Sequence, residues 1–307
     1  QDILRNPSFD LAEFEKLKLE IKNGLESNRN EPQAVANQEL IRTTALYAKT
    51  HPYYSETIDE SLASLEKITI EDLKNFYATF YGGSNSISSF VGGIDKNAIK
   101  KFLTATFDNW NPKIAYKRIP TQYFDVRSSD KTIQINDKTN AVLFGKINLN
   151  VGEKNPDYPA LQMANELLGG GVFLSSRIPQ RLRETEGLSY GAGSYLNANA
   201  IDATSDWGVY AIYNPTMKDK LTTALNEEIQ KAISKGFTKE EFDSSLKSWL
   251  QNRQTMLGVD EFLVRELREN LDLGKSFKDY EDFETKVKSL DVQKINTAMT
   301  KYFDTKK

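Results

Sequence analysis

The chain has 307 residues, no cysteine, one histidine, and 40 basic against 43 acidic side chains for a net charge of -3. That length allows about two domains, each large enough to bury a core. The composition excludes a disulfide framework, a thiolate metal site, a cysteine nucleophile and any site needing two imidazoles. Mixed charge signs leave no nucleic-acid footprint, and no apolar run approaches the ~18 to 20 residues of a membrane span.

Taken in chain order, helical spacing predicts helices near 11–28, 33–48, 58–67, 70–81 and 96–108, with one apolar strand near 86–92. Tyr81-Gly82-Gly83 reads as a helix stop and Asp95 as a helix start. A hairpin is expected next: Thr132 to Ile135, a polar turn Asn136 to Asn140, then Ala141 to Leu149. A helix near 158–168 should stop at Gly169-Gly170-Gly171, followed by a helix over 174–186 and strands near 188–197 and 203–213. Helices near 216–235, 239–256, 260–272 and 291–303 complete the reading. Strands clustered apart from runs of helices predict an α+β fold, with helices packed on one side of a mainly antiparallel sheet.

Two echoes suggest a duplicated domain. Phe9-Asp10-Leu11-Ala12-Glu13-Phe14 matches Phe237-Thr238-Lys239-Glu240-Glu241-Phe242, each opening a helix with a capping-box pattern. Ile68 to Tyr81 matches Leu290 to Phe303 in the same order. The copies are unequal, because the second has a long stretch before its capping box and the first has almost none. The expected organisation is the back half of a first α+β domain over 1–118 and a second such domain over 119–307, the first copy being truncated at its N-terminus.

Gly169-Gly170-Gly171 lacks the Gly-Lys-Ser/Thr of a phosphate loop and reads as a helix end. His51, in His51-Pro52-Tyr53-Tyr54, has no recognisable triad partners and reads as loop packing. Trp110, Tyr123, Phe124, Trp207 and Trp249 read as core or interface. In Leu182-Arg183-Glu184-Thr185-Glu186-Gly187-Leu188-Ser189-Tyr190, a helix ends with Gly187 as its left-handed residue and a strand begins. Read this way, Arg183 favours the negative end of the helix dipole and Tyr190 points into the sheet.

That segment also resembles the pitrilysin/insulinase family of zinc metallopeptidases, which includes the mitochondrial processing peptidases. The resemblance rests above all on Ser175-Ser176-Arg177-Ile178-Pro179-Gln180-Arg181-Leu182-Arg183 followed by Gly187-Leu188 and Tyr190. Phe9-Asp10, Glu13-Phe14, His51-Pro52-Tyr53 and the stretch Ile68 to Gly93 support it. It implies paired α+β domains, two halves closing as a clamshell around an unfolded peptide, and zinc held in a catalytic half by H-x-x-E-H and a later glutamate. Neither histidine exists here, and Asn23 and Gly24 stand near the third ligand's place, with Glu20 and Glu26 out of frame.

The resemblance therefore implies the substrate-binding, non-catalytic half, with no catalytic residue and no metal site of its own, inactive alone. Arg183 and Tyr190 match the family's substrate-binding Arg and Tyr in spacing. The partners implied are a peptide substrate and a homologous zinc-bearing half; family habit points to a bacterial periplasm. Two alternatives stand beside this: a fragment of a catalytic peptidase with its zinc motif upstream of Gln1, and a non-enzymatic scaffold protein of the same fold.

Overall fold

The computed structural model describes residues 2–171 and 176–303. Helices α1 (Asp2–Arg5), α2 (Leu11–Asn28), α3 (Pro32–Thr44), α4 (Ile58–Lys67), α5 (Ile70–Phe80) and α6 (Lys96–Phe107) come first. Strand β1 (Ala141–Leu149) and helix α7 (Tyr158–Asn165) follow, the helix running on as a π-turn over Glu166–Gly170. Next come α8 (Arg177–Pro179) with a second π-turn over Gln180–Thr185, then β2 (Gly191–Ala198) and β3 (Ser205–Tyr213). The remaining helices are α9 (Lys218–Lys235), α10 (Lys239–Met256), α11 (Asp260–Asp272), α12 (Phe277–Lys288) and α13 (Val292–Tyr302).

Helix starts follow the capping residues. Asp10 accepts from the Glu13 amide at 3.0 Å, and Thr238 accepts from Glu241 at 3.2 Å while the Glu241 carboxylate takes the Thr238 amide at 2.7 Å. Complete capping boxes also open α4 (Thr57 with Glu60), α5 (Thr69 with Asp72) and α12 (Ser276 with Asp279). Each satisfies backbone donors that the first helical turn leaves orphaned.

Two compact units partition the chain. One comprises 1–29, 56–119 and 257–275; the other comprises 30–55, 120–256 and 276–307. The second unit holds the antiparallel sheet, in the order β1-β3-β2. Alternation turns Trp207, Val209, Ala211 and Tyr213 of β3 into the core with Leu149, Ala192 and Ser194. There they join Leu161, Met163 and Leu168 around α7, Leu221, Leu225 and Ile229 of α9, and Ile295, Met299 and Phe303 around α13. Phe303 is fully buried with its ring 4.8 Å from Trp207. On the sheet's other face, Tyr195 lies across Gly208, its register partner, where any Cβ would collide with the phenol ring.

The α+β reading agrees with this helix-rich unit and its small antiparallel sheet. Two expected strands do not form. Residues 86–92 carry the apolar sequence of a strand but belong to no ladder, because the first unit offers no partner strand among the described residues. Thr132 to Ile135 does not pair with β1 either; Lys131 and Lys138 tie that stretch to Glu39 and Glu31, on and just before α3, at 2.5 and 3.5 Å. Helix α12 was not anticipated, since its narrow apolar stripe of Tyr280, Phe283 and Val287 lies among charges. Ser175 and the start of the helix expected over 174–186 lie outside the described residues.

Candidate functional site

The segment from Ser176 to Gly191 is built as a pinned turn. The Leu182 side chain is fully buried, and its carbonyl accepts from the amides of both Leu188 (2.7 Å) and Ser189 (3.1 Å). Closing so short a loop requires a left-handed residue, which Gly187 supplies with φ +61°. The buried Ser189 hydroxyl sits between the carbonyls of Gly191 and Ile212 at 2.7 and 2.8 Å. Tyr190 then donates its amide to Ile212 at 2.9 Å, at the entry to β2.

Arg183 and Tyr190 therefore each follow a residue of one backbone clamp, Leu182 and Ser189. Their backbones are held, yet their side chains face solvent. Tyr190 is 65% exposed, which corrects the expectation that its ring points into the sheet. The Arg183 side chain is half exposed, with Nε 3.4 Å from Glu184. β2 is an outer strand of the described sheet, so its free edge begins beside Tyr190.

Buried charge locks the turn from behind. Arg177 makes a bidentate pair with Glu241 (both contacts 2.8 Å), donates to the Gly236 carbonyl at 2.9 Å and stacks 4.5 Å from the Phe237 ring. Arg181 reaches Glu186 at 2.8 Å and Glu227 at 2.5 Å, which hold its pKa above the usual arginine value. Between these arginines lies Glu228, 5% exposed, within 3.9 Å of Arg177 and 3.6 Å of Arg181. Sequence reading assigned this network no role, although Glu228 interrupts the apolar stripe Leu221, Leu225, Ile229, Ala232 of α9 and could have flagged it.

Glu166, at the π-turn after α7, lines a cavity of about 270 Å³ with Ser176, Ser244, Ser245 and Ser248. Burial pushes its carboxyl up to about 7, against a hydrogen bond from Gln162 that pulls the other way. A raised carboxyl gives stability that is whole below its unfolded pKa near 4.5 and declines as pH rises towards 7. Glu166→Gln is accordingly expected to gain roughly 2–3 kcal/mol over the parent at pH 8 and nothing at pH 4, read by urea unfolding at both.

The remaining sequence candidates are dispersed. His51 packs in its loop, stacked 4.4 Å from Tyr47, with Nδ1 accepting from the Tyr53 amide at 3.1 Å. Trp207 and Trp249 are core, while Tyr123 is 36% exposed. Asn23 and Gly24 are exposed on α2, and Glu26 is engaged with Arg29 at 2.6 Å. Among the described residues, no group of three or more His, Cys, Asp or Glu is placed to hold a metal ion. These residues do not fit zinc. No described helix is long and apolar enough to cross a membrane.

Comparison with known proteins shows the family and the fold. The chain is 25% identical over 283 residues to an uncharacterized zinc protease of Rickettsia felis, covering 90% of this chain and 62% of that protein. It is likewise 25% identical over 207 residues to one of Streptomyces coelicolor, covering 64% and 43%. The chain thus spans less than two thirds of the length of these relatives. Two solved structures share the fold. A peptidase M16 inactive domain from Pseudomonas fluorescens has TM-score 0.78 at 22% identity, over 98% of this chain and 69% of that one. A protease from Helicobacter pylori has TM-score 0.78 at 19% identity, over 96% and 70%. The family model for the peptidase M16 inactive domain matches residues 67–248, more than half of the chain. This protein belongs to that family, the non-catalytic domain of zinc-protease-like proteins.

Proposed function

We propose that the chain is the substrate-binding half of a pitrilysin-like peptidase and closes with a zinc-bearing half, as a clamshell, around an unfolded peptide. The observation that carries this is the pair Arg183 and Tyr190: backbones clamped through Leu182 and Ser189, side chains offered to solvent at the start of a free strand edge. An extended peptide can add to such an edge by main-chain hydrogen bonds. A guanidinium and a phenol are both donors, suited to a peptide carbonyl and to the oxyanion that develops from it.

In this reading the metal and the hydrolytic water belong to the other half. The present chain binds, orients and supplies donors, and by itself hydrolyses nothing. The test is peptide cleavage by the two halves together. Arg183→Ala and Tyr190→Phe should each lower turnover about 10²-fold, the usual cost of an oxyanion donor. Unchanged turnover in both variants would remove the role assigned to them.

A further inference from the structure

Helix α10 carries two stripes. Phe242, Leu246, Trp249 and Leu250 pack on the core of the second unit, as helical spacing predicts. Beside them Glu241, Ser244, Ser245 and Ser248 recur at i, i+3, i+4 and i+7, so that one face of the helix is rich in hydroxyls. A hydroxyl inside a helix usually turns back onto its own backbone. Ser234, Thr255, Thr285 and Thr297 do so here, each donating to the carbonyl four residues earlier. Ser244, Ser245 and Ser248 make no hydrogen bond to any described residue, and they line the cavity of about 270 Å³ that Glu166 also lines.

The fold leaves two further polar groups of this cavity unanswered. Ser176 is 4% exposed, and its Oγ has no hydrogen-bond partner among the described residues. A buried hydroxyl in that state carries its desolvation cost with nothing to offset it. Glu166 accepts from Gln162 at 3.2 Å and meets no cation among the described residues. Its carboxyl is pushed up to about 7 by burial, so near neutrality a proton stands in for the missing counter-charge. Glu241, by contrast, has Arg177. The remaining charged group lining the cavity is the exposed Glu240, and Leu167 and Trp249 supply apolar wall.

We infer that this cavity binds a primary ammonium group on a short alkyl chain. The cation sits on the Glu166 carboxylate, its N–H donors are shared with the hydroxyls of Ser176 and α10, and the alkyl stem lies against Leu167 and Trp249. An ammonium has three donors and no acceptor, which matches a lining of carboxylate and hydroxyl oxygens. An anion would meet only acidic charge on the cavity wall. A divalent ion lacks its ligands, because no group of three or more His, Cys, Asp or Glu among the described residues is placed to hold one. A neutral alcohol would leave Glu166 without a counter-charge. Proton and ammonium compete for one carboxylate, so binding strengthens as pH rises through 7. Glu241 stays ionised over that range: burial raises it, but Arg177 and the Thr238 amide, helped by Lys231, hold it below 4.5. The inference does not depend on the role given to Arg183 and Tyr190.

The probe is n-butylammonium chloride, titrated into the 307-residue chain and followed by calorimetry and by the carboxyl-carbon NMR signal of Glu166. One-site binding is expected at pH 8 with Kd about 1 mM or tighter, a value within reach of so small a ligand. At pH 6 it should be about tenfold weaker, and bound amine should move the Glu166 titration midpoint below 7. Glu166→Gln should weaken binding about 10- to 100-fold, the usual worth of a hydrogen bond to a charged group, and abolish its pH dependence. Ser176→Ala should weaken it several-fold. Both variants should melt at or above the parent's temperature at pH 8. Nα-acetyl-lysine amide is titrated in parallel: its binding assigns the site to a lysine of a polypeptide, and its failure where n-butylammonium binds assigns it to a free amine. The inference is overturned if neither amine binds by about 10 mM, a weak limit even for a ligand of this size. It is overturned equally if n-butanol binds as tightly as the amine, if calcium chloride displaces the amine at equal concentration, or if Glu166→Gln binds as the parent does.

Discussion

Arg177→Ala is expected to lower the unfolding free energy of the second unit by about 3 kcal/mol at pH 7, with Arg177→Lys recovering little of it. Removing one partner of a buried ion pair costs about 3–5 kcal/mol, because the other charge stays behind desolvated. Here the side chain of Arg177 is 10% exposed and that of Glu241 35%, so water relieves part of the loss and the lower end applies. The buried Glu228 also loses a cation, although Arg181 and Lys231 remain. Lysine offers a point charge, whereas this site uses a planar fork: two contacts to Glu241, one to the Gly236 carbonyl, and a face against Phe237.

The pH dependence has a definite sign. Burial pushes the Glu241 carboxyl up, but the hydrogen bonds from Arg177 and from the Thr238 amide outweigh it and hold the pKa below the usual 4.5. A depressed carboxyl gives stability that is present above its unfolded pKa and lost as pH falls through the folded value. The gap between the parent and Arg177→Ala should therefore be full at pH 7 and shrink below about pH 4. Urea unfolding at pH 7 and pH 3.5 measures it; an equal gap at both would show that the charge pair is not its origin.

Leu182→Ala is expected to cost about 3 kcal/mol, within the 2–5 kcal/mol range for emptying a buried leucine site. The side chain is fully buried among residues that include Ile178 and Leu188, so the cavity cannot drain to the surface. The substitution leaves the Leu182 carbonyl in place, and with it the two amide contacts that pin Leu188 and Ser189. Stability should therefore fall well before peptide binding does. At roughly 2–4 °C per kcal/mol for a unit of this size, calorimetry should show a drop of about 6–12 °C.

How much of this was legible depends on the range of the interaction concerned. Helices α4, α10 and α11 lie where periodicity placed them, because caps and i, i+4 spacing act within a few residues. Gly187 was readable for the same reason: a left-handed residue closing a helix is a local matter, and its φ is +61°. The π-turns over Glu166–Gly170 and Gln180–Thr185 were not readable, since Gly169 there lies hard against Ser194 of β2 and packing sets the local winding. Helix α12 was missed through its charge-rich composition, although Ser276 and Asp279 form a complete capping box.

Strands divide by partner. Residues 141–149 and 205–213 pair with each other, while 86–92 and 132–135, which also carry apolar residues in strand-like spacing, form no ladder. A helix satisfies its own backbone, whereas a strand needs a second segment to satisfy it, so pattern alone cannot tell a paired strand from an orphan.

The candidate site follows the same division. The Arg183–Tyr190 spacing and the flanking string were visible in the residues and carried the resemblance. Exposure of Tyr190, burial of Glu228 and the seat of Arg177 against Glu241 were not, because Glu228 and Glu241 come from helices 50 or more residues downstream of Arg177. By itself the sequence determined the caps, most helices, the want of a histidine or cysteine metal site, and the motif that places the chain in its family. Tertiary structure decided which strands pair, which charges are buried, and which apolar faces stay uncovered. Those outcomes depend on a distant partner being present, and local chemistry carries no record of it.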